Sequence, residues 1–123
     1  MKVTYLGHAC VNIQIEGAHF LVDPFISANP LAGHIDINSI EATYILLTHA
    51  HADHILDAEA IAKRTGAPLI TNPEILGHYR KLGLDGYDMN IGGSHRFLDG
   101  KVKIKMVKAD HSSSFPDGSY GGN

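Results

Sequence analysis

The sequence predicts a mixed α/β fold, a β-sheet with helices on at least one face. Three observations point there. Two segments alternate apolar and polar residues with a period of two, one segment is an unbroken apolar run, and two later segments repeat apolar residues at helical spacing. No internal repeat, low-complexity tract or long linker divides the chain, so residues 1–123 are read as a single domain.

The first alternation is Cys10 to Glu16. Val11, Ile13 and Ile15 share one face and Asn12, Gln14 and Glu16 the other, as in a strand with one wet face. Lys2 to Leu6 is expected to pair with it. Gly17-Ala18 reads as a hairpin turn into His19–Val22, and Asp23-Pro24 ends that strand because proline has no N–H for a ladder. Residues 26–42 read as loop, with Asn29-Pro30 and Gly33 as breakers, and are expected among the loops of a cleft. Tyr44 to Thr48 is expected to be a strand buried on both faces.

After that strand the period changes. Ala58, Ile61, Ala62 and Thr65 fall at i, i+3, i+4 and i+7, a helix stripe stopped by Gly66 and Pro68. Pro68 to Thr71 reads as another short strand. Asn72 is placed as an N-cap with Pro73 at the first helical position, and Ile75, His78, Tyr79 and Leu82 repeat the helical spacing up to Gly83. Lys101 to Met106 alternates strictly, a strand whose lysine face is read as solvated rather than as a phosphate site. The glycines of the last dozen residues are read as flexibility, since no strand–loop–helix context surrounds them.

An apolar fraction of 44% excludes intrinsic disorder. The formal charge of −3 gives no electrostatic reason to expect nucleic acid or an anionic membrane as partner. No apolar run approaches the roughly 18–20 residues of a membrane span, and the opening MKVTYLGHAC lacks a signal-peptide pattern. Cys10 is the single cysteine, which excludes an internal disulfide framework and leads us to expect a cytoplasmic protein. With apolar neighbours and no basic activator, it reads as a buried, inert thiol. The unusual count is nine histidines, the side chain most often used to hold metals.

Four of the candidate ligands stand together. His49-Ala50-His51-Ala52-Asp53-His54 follows directly on the buried strand, where open α/β sheets place their sites. With nine histidines and nine aspartates in the chain, such a four-position match arises by chance with probability of about 0.003, so a merely solvated loop explains it poorly. On one helix His49 and His51 would point roughly 200° apart, so the cluster is placed on a loop folding back over the strand. His49 and His51 then supply two ligands to one ion, while Asp53 and His54 reach a second position. A catalytic zinc takes three protein ligands and keeps a fourth position open. The third is expected from a distant strand end: His111, after a strand ending near Lys108, with Asp110 as the alternative. Asp23 suits a carboxylate that accepts an N–H from a ligand histidine and fixes its tautomer. His8, at the end of the first strand, is read equally as a cleft residue or a structural one. His34, His78 and His95 lie apart and receive no role.

Thr48-His49-Ala50-His51-Ala52-Asp53-His54 resembles the metal-binding motif of the metallo-β-lactamase superfamily. Tyr5-Leu6-Gly7-His8-Ala9 and Leu21-Val22-Asp23-Pro24-Phe25 are similar to its branch of metal-dependent hydrolases related to the ascorbate-phosphate lactonases. The resemblance runs over nearly the whole chain. It implies one half of an αββα sandwich built from two similar halves. It also implies that His49, His51 and His111 hold the first metal, that Asp53 and His54 belong to the second, and that Asp23 supports the site from behind the ligands. Family members carry a bridging aspartate and a final histidine further along than residue 123, so the second site is expected to have two of its four ligands. A half-sandwich leaves an apolar sheet face bare, which is unusual for a soluble monomer. A longer chain bringing the C-terminal half is the favoured expectation, and self-association is the alternative.

Two functions compete. The first is a hydrolase acting on an ester, lactone or phosphodiester bond of a small molecule, with zinc, or manganese or iron in its place, activating water and Asp53 orienting it or accepting its proton. No residue stands out to protonate the leaving group. The second is a metal-binding half-domain, catalytically incomplete by itself. A nuclease is disfavoured by the acidic balance.

Overall fold

The computed structural model describes all residues, Met1–Asn123. A six-stranded sheet forms from β1 (Lys2–Gly7), β2 (Cys10–Ile15), β3 (Ala18–Val22), β4 (Tyr44–Leu46), β5 (Leu69–Thr71) and β6 (Gly86–Asp88), in that spatial order. The first three strands are antiparallel and joined by tight turns. From β3 to β6 the pairing is parallel, which requires crossovers. The β4–β5 crossover carries α1 (Ala52–Ile55) and α2 (Ala58–Thr65), and the β5–β6 crossover carries α3 (Pro73–Arg80). A separate antiparallel hairpin, β7 (Ser94–Phe97) with β8 (Val102–Lys105), follows.

The periodicities translate into one well-built layer. Cys10, Leu21, Ile45, Leu47 and Leu69 point to one side of the sheet, where they bury against Ala58, Ile61 and Ala62 of α2 and Ile75, Leu76 and Tyr79 of α3. Gly66 ends α2 in the left-handed conformation at φ 74°, and the Asn72 side chain accepts the Ile75 N–H at 2.8 Å to cap α3. The α3 stripe is rotated from the expected one: Leu76 is buried, whereas Leu82 lies beyond the helix and is 40% exposed. Residues 26–42 are more ordered than a loop. They hold two 3₁₀ turns, Pro30–Ala32 and Ile37–Ser39, capped by the side chains of Asn29 and Asp36. Their Ile26, Ala32 and Ile40 complete the same core. Asp57 fixes this segment, its buried carboxylate accepting from the backbone N–H groups of Ile26 and Ser27 and from the Ser27 hydroxyl.

The opposite sheet face is covered at one end only. Cross-strand rows run Val3–Ile13–Phe20–Tyr44 and Tyr5–Val11–Val22–Leu46. Phe97 of the hairpin packs edge-on to Tyr44 and Tyr87, with ring centroids 5.1 and 5.2 Å apart. No element reaches the β1 end, where Val3 and Tyr5 remain 57% and 68% exposed. β2 is therefore not a strand with one dry and one wet face: Val11 to Ile15 are all half-buried. Its apolar side lacks a full cover, and on its polar side Asn12 donates to the Glu41 carbonyl at 2.9 Å. β4 is likewise buried on one side by Ile45 and only half-buried on the other at Tyr44 and Leu46.

Two short strands escaped the periodicity, β6 and β7, each too brief and polar to announce itself. Gly86 is required in β6, because a Cβ there would sit 1.9 Å from the Leu69 carbonyl oxygen. β8 ends at Lys105 rather than near Lys108, with two further backbone bonds at Met106, whose N–H donates to the Gly93 carbonyl at 2.9 Å and whose carbonyl accepts the Gly92 N–H at 2.8 Å. No helix is long and apolar enough to cross a membrane.

Cys10 is fully buried, and burial pushes its thiol up to about 12, reinforced by the Asp23 and Asp57 carboxylates against a backbone hydrogen bond from Phe25. The thiolate fraction at pH 8 is then on the order of one in ten thousand. Iodoacetamide at pH 8 is expected to leave the folded protein unmodified by mass spectrometry and to add one adduct after denaturation. Because the folded value lies above the unfolded one, this group is neutral in both states below pH 9, and stability falls as pH rises from there toward 12, where only the unfolded thiol ionises freely.

Candidate metal centre

The site starts where β3 and β4 end side by side. Asp23 is buried, with φ at 45°, and its N–H donates to the Leu46 carbonyl at 2.9 Å. Its Oδ1 accepts the Thr48 N–H at 2.8 Å, while Oδ2 accepts the Thr48 hydroxyl at 2.6 Å and His54 Nδ1–H at 2.9 Å. The Thr48 hydroxyl has one proton, which goes to Asp23, so its oxygen accepts His49 Nδ1–H at 3.0 Å. One carboxylate thereby sets the tautomer of His54 directly and of His49 through Thr48.

His49 to His51 form the expected loop. Asp53 and His54 do not belong to it: they lie on α1, a single turn that forms because the His51 carbonyl accepts the N–H groups of His54 and Ile55 at 2.9 and 3.2 Å. His111 comes from far along the chain. A carbonyl only accepts, so the 2.8 Å bond to the Ser112 carbonyl places the His111 proton on Nδ1 and leaves Nε2 bare.

The three imidazoles meet. Ring centroids lie 4.7 Å apart for His49 and His51, 4.6 Å for His49 and His111, and 5.0 Å for His51 and His111. One nitrogen from each falls within 4.8 Å of the others. His49 Nε2 is buried and has no hydrogen-bond partner. Such an orphaned nitrogen is costly in a protein interior unless something accepts its lone pair. Burial first, and then the neighbouring His54, His51 and His111, hold His49 below the usual histidine range against the pull of Asp23. The neutral, ligating form is thus favoured, and the donor set fits a zinc-type cation.

Asp110, the alternative third ligand, is not in this group: it is exposed and pairs with Lys108 at 2.9 Å. Asp53 and His54 stand beside the trio, with His54 Nε2 3.9 Å from Asp53 Oδ2. Burial raises the Asp53 carboxyl, but its own backbone N–H, His54 and His8 outweigh that and hold it below the usual range. His8 Nε2 lies 3.0 Å from Asp53 Oδ2. His34 and His95 are exposed and remote, and His78 stacks on Phe115 with centroids 4.2 Å apart.

The C-terminal segment docks instead of being flexible. The Ser113 hydroxyl accepts the Ala50 N–H at 3.2 Å and donates to the Gly121 carbonyl at 2.9 Å, to which the Asn72 amide also donates at 2.8 Å. A Cβ on Gly121 would meet that of Ala50 at 2.4 Å, so glycine here serves close packing behind the histidine loop. Ser113 and Gly121 had no signal beyond the Gly121-Gly122 pair.

The metallo-beta-lactamase superfamily model matches residues 3–118. The chain belongs to this superfamily. A metal-dependent hydrolase of Flavobacterium johnsoniae is 57% identical over 123 residues, which are 100% of this chain and 54% of that protein. One of Thermus thermophilus is 41% identical across 99% of this chain and 53% of its own. Igni18, described as a novel metallo hydrolase from Ignicoccus hospitalis, superposes with a TM-score of 0.82 at 32% identity, over 97% of this chain and 52% of that one. The metallo-beta-lactamase SMB-1 shares the fold, with a TM-score of 0.56 at 22% identity over 98% and 53% of the two chains. The chain spans about half the length of the curated relatives it matches.

Close packing gives a prediction of opposite signs at two glycines. Gly121→Ala should destabilise by about 1–3 kcal/mol through overpacking against Ala50. Gly77→Ala, mid-α3 with open space at its Cβ, should stabilise by about 0.5–1 kcal/mol. Urea midpoints at unchanged slope measure both.

Proposed function

We propose that the protein is the metal-holding part of a hydrolase acting on an ester, lactone or phosphodiester bond of a small molecule. The observation that carries this reading is the buried, unpartnered His49 Nε2 facing His51 and His111. These three residues would hold zinc, with manganese or iron as the other cations such donors accept. When bound, such a cation polarises a substrate oxygen and lowers the pKa of water to roughly 7. Asp53, ionised at neutral pH, would orient the attacking water and take its proton on the oxygen that does not face His8. A pocket of about 240 Å³ lined by Thr48, His49, Val107, Ala109 and His111 offers room for a substrate group.

His49→Ala and His51→Ala are each expected to abolish tight zinc binding and hydrolysis of ester, lactone and phosphodiester probes together. Calorimetry and turnover assays check this, and hydrolysis retained in a variant that holds no metal overturns it.

We further propose that the single-domain chain acts as a half-unit, its bare sheet face covered by a complementary C-terminal half or, failing that, by a second copy. Exposed Val3 and Tyr5, and the apolar groove of about 230 Å³ beside Val22, Leu46 and Ile70, support a cover. A catalytically incomplete metal-binding half-domain is the second reading, favoured by the same bare face. The net charge of −3 and the buried free thiol favour a cytoplasmic setting without nucleic acid or membrane partners. Light scattering of the purified chain is expected to give a dimer or larger species, and Val3→Lys with Tyr5→Lys to shift it to monomer.

A further inference from the structure

We propose that the free edge of β1 pairs antiparallel with β1 of a second copy, so that two chains share one continuous sheet about a two-fold axis at Thr4. The inference rests on the self-association proposed above for there being a second copy. It adds the place where the copies meet and the register in which they do so.

The ladder fixes which backbone groups of β1 are free. β2 and β3 are joined by the two-residue turn Glu16-Gly17, at φ 53° and 79°, so the flanking Ile15 and Ala18 exchange hydrogen bonds. Bonded and open pairs alternate along an antiparallel ladder, so Ile13 and Val11 also bond toward β3, whereas Asn12 and Gln14 turn their N–H and carbonyl groups toward β1. His19, opposite Gln14, correspondingly points away from β2: its carbonyl accepts the Thr43 N–H at 2.7 Å and its N–H donates to the Thr43 hydroxyl at 2.9 Å. On β1, Lys2 and Thr4 stand opposite Gln14 and Asn12 and bond to them. Val3 and Tyr5 therefore aim their N–H and carbonyl groups outward, where β1 is the last strand of the sheet and Lys2 to Tyr5 are all exposed.

The two sheet edges differ in their protection. β6, at the other edge, is three residues long, contains Asp88, and has its first N–H taken by the Asp85 carboxylate at 2.8 Å. β1 runs for six residues with no proline and a single charge, Lys2 at its start, and its register shift is confined to the far end between Tyr5 and Gly7. Short strands, charges, prolines and bulges keep an edge from pairing, and the middle of β1 has none of them.

One register uses both outward residues. Val3 stands opposite Tyr5 of the second copy and exchanges two hydrogen bonds with it, Tyr5 does the same with that copy's Val3, and the two Thr4 residues meet as an open pair. Centring on Tyr5 instead would set Val3 against Gly7, where the ladder is already irregular. Centring on Val3 would leave the two Lys2 residues diagonal neighbours about 7–8 Å apart, against roughly 13 Å in the Thr4 register. The side chains agree with this choice. Val3 and Tyr5 of both copies fall on the bare face, where each apolar row of one copy runs into a row of the other. The Tyr5 hydroxyl donates to the His8 carbonyl at 3.1 Å, so the ring is held before a second copy arrives and loses little freedom on pairing.

Sedimentation and disulfide trapping of this chain test the pairing. The wild type is expected to sediment as a dimer. Val3→Pro removes an outward N–H without touching the β1–β2 ladder, so it should keep the far-UV spectrum while weakening association about ten-fold or more. An open pair brings Cα atoms to about 4.5 Å, within disulfide reach, so Thr4→Cys should oxidise to a covalent dimer faster than Lys2→Cys, whose thiols would stand far apart. Cys10 is buried and takes no part. A dimer that survives in Val3→Pro, or that traps no faster at residue 4 than at residue 2, meets through another surface; either result overturns the pairing and leaves self-association intact. A monomeric wild type fails both. Should Val3→Pro not fold, trapping at residue 4 decides by itself.

Discussion

The Asp23 carboxylate is the group on which the site depends. Taking an ionised carboxylate out of water is costly unless its lone pairs are filled, and here three donors fill them: the Thr48 N–H, the Thr48 hydroxyl and His54 Nδ1. The same contacts do structural and chemical work. They tie the end of β3 to Thr48, two residues past the end of β4, and they dictate which nitrogen of His49 and of His54 carries a proton. A histidine tautomer is otherwise free to exchange, and a mixture of tautomers would present a lone pair to the cluster only part of the time.

Around this fixed point the chain solves a problem of reach. His49 and His51 follow a strand end, so the sheet places them. His111 lies beyond β8 in irregular backbone, and only the docking of the following segment brings it back. Ser113 reaches Ala50, the Asn72 amide reaches Gly121, and the two buried glycines permit the contact. The opening of α3 therefore supports the site at a distance, since Asn72 caps that helix with its oxygen and holds the tail with its nitrogen.

How much of this could be read beforehand follows from range. The helix stripes, the cap at Asn72 and the strand alternations are local patterns, and they placed α2, α3 and five of the sheet strands within a residue or two. The histidine cluster was legible because four ligand-type residues in six positions rarely meet by chance. His111 was inferred from chemistry, as the donor a closed site still lacked, and the structure brings it beside His49 and His51. What stayed hidden depends on contacts between distant residues. The role of Asp57 is set by Ile26 and Ser27 across the fold, and the tail glycines look flexible until Ala50 and Asn72 are seen against them. Leu82 carries the correct spacing for α3, but the chain leaves the helix before it, so period alone misjudged its burial.

The bare sheet face and the histidine site are not separate features of this chain. The apolar groove beside Val22, Leu46 and Ile70 and the pocket beside His49 and His111 share Thr48, Met106, Val107 and Ala109 as walls. The stretch from Met106 to His111 has little backbone pairing beyond Met106, and Val107 remains 67% exposed. Segments with few buried contacts open at low free energy, so this stretch is the least constrained of those that carry a ligand-type residue. Met106 and Val107 therefore belong at once to the uncovered apolar face and to the wall of the pocket that His111 lines, so the two features share one stretch of chain.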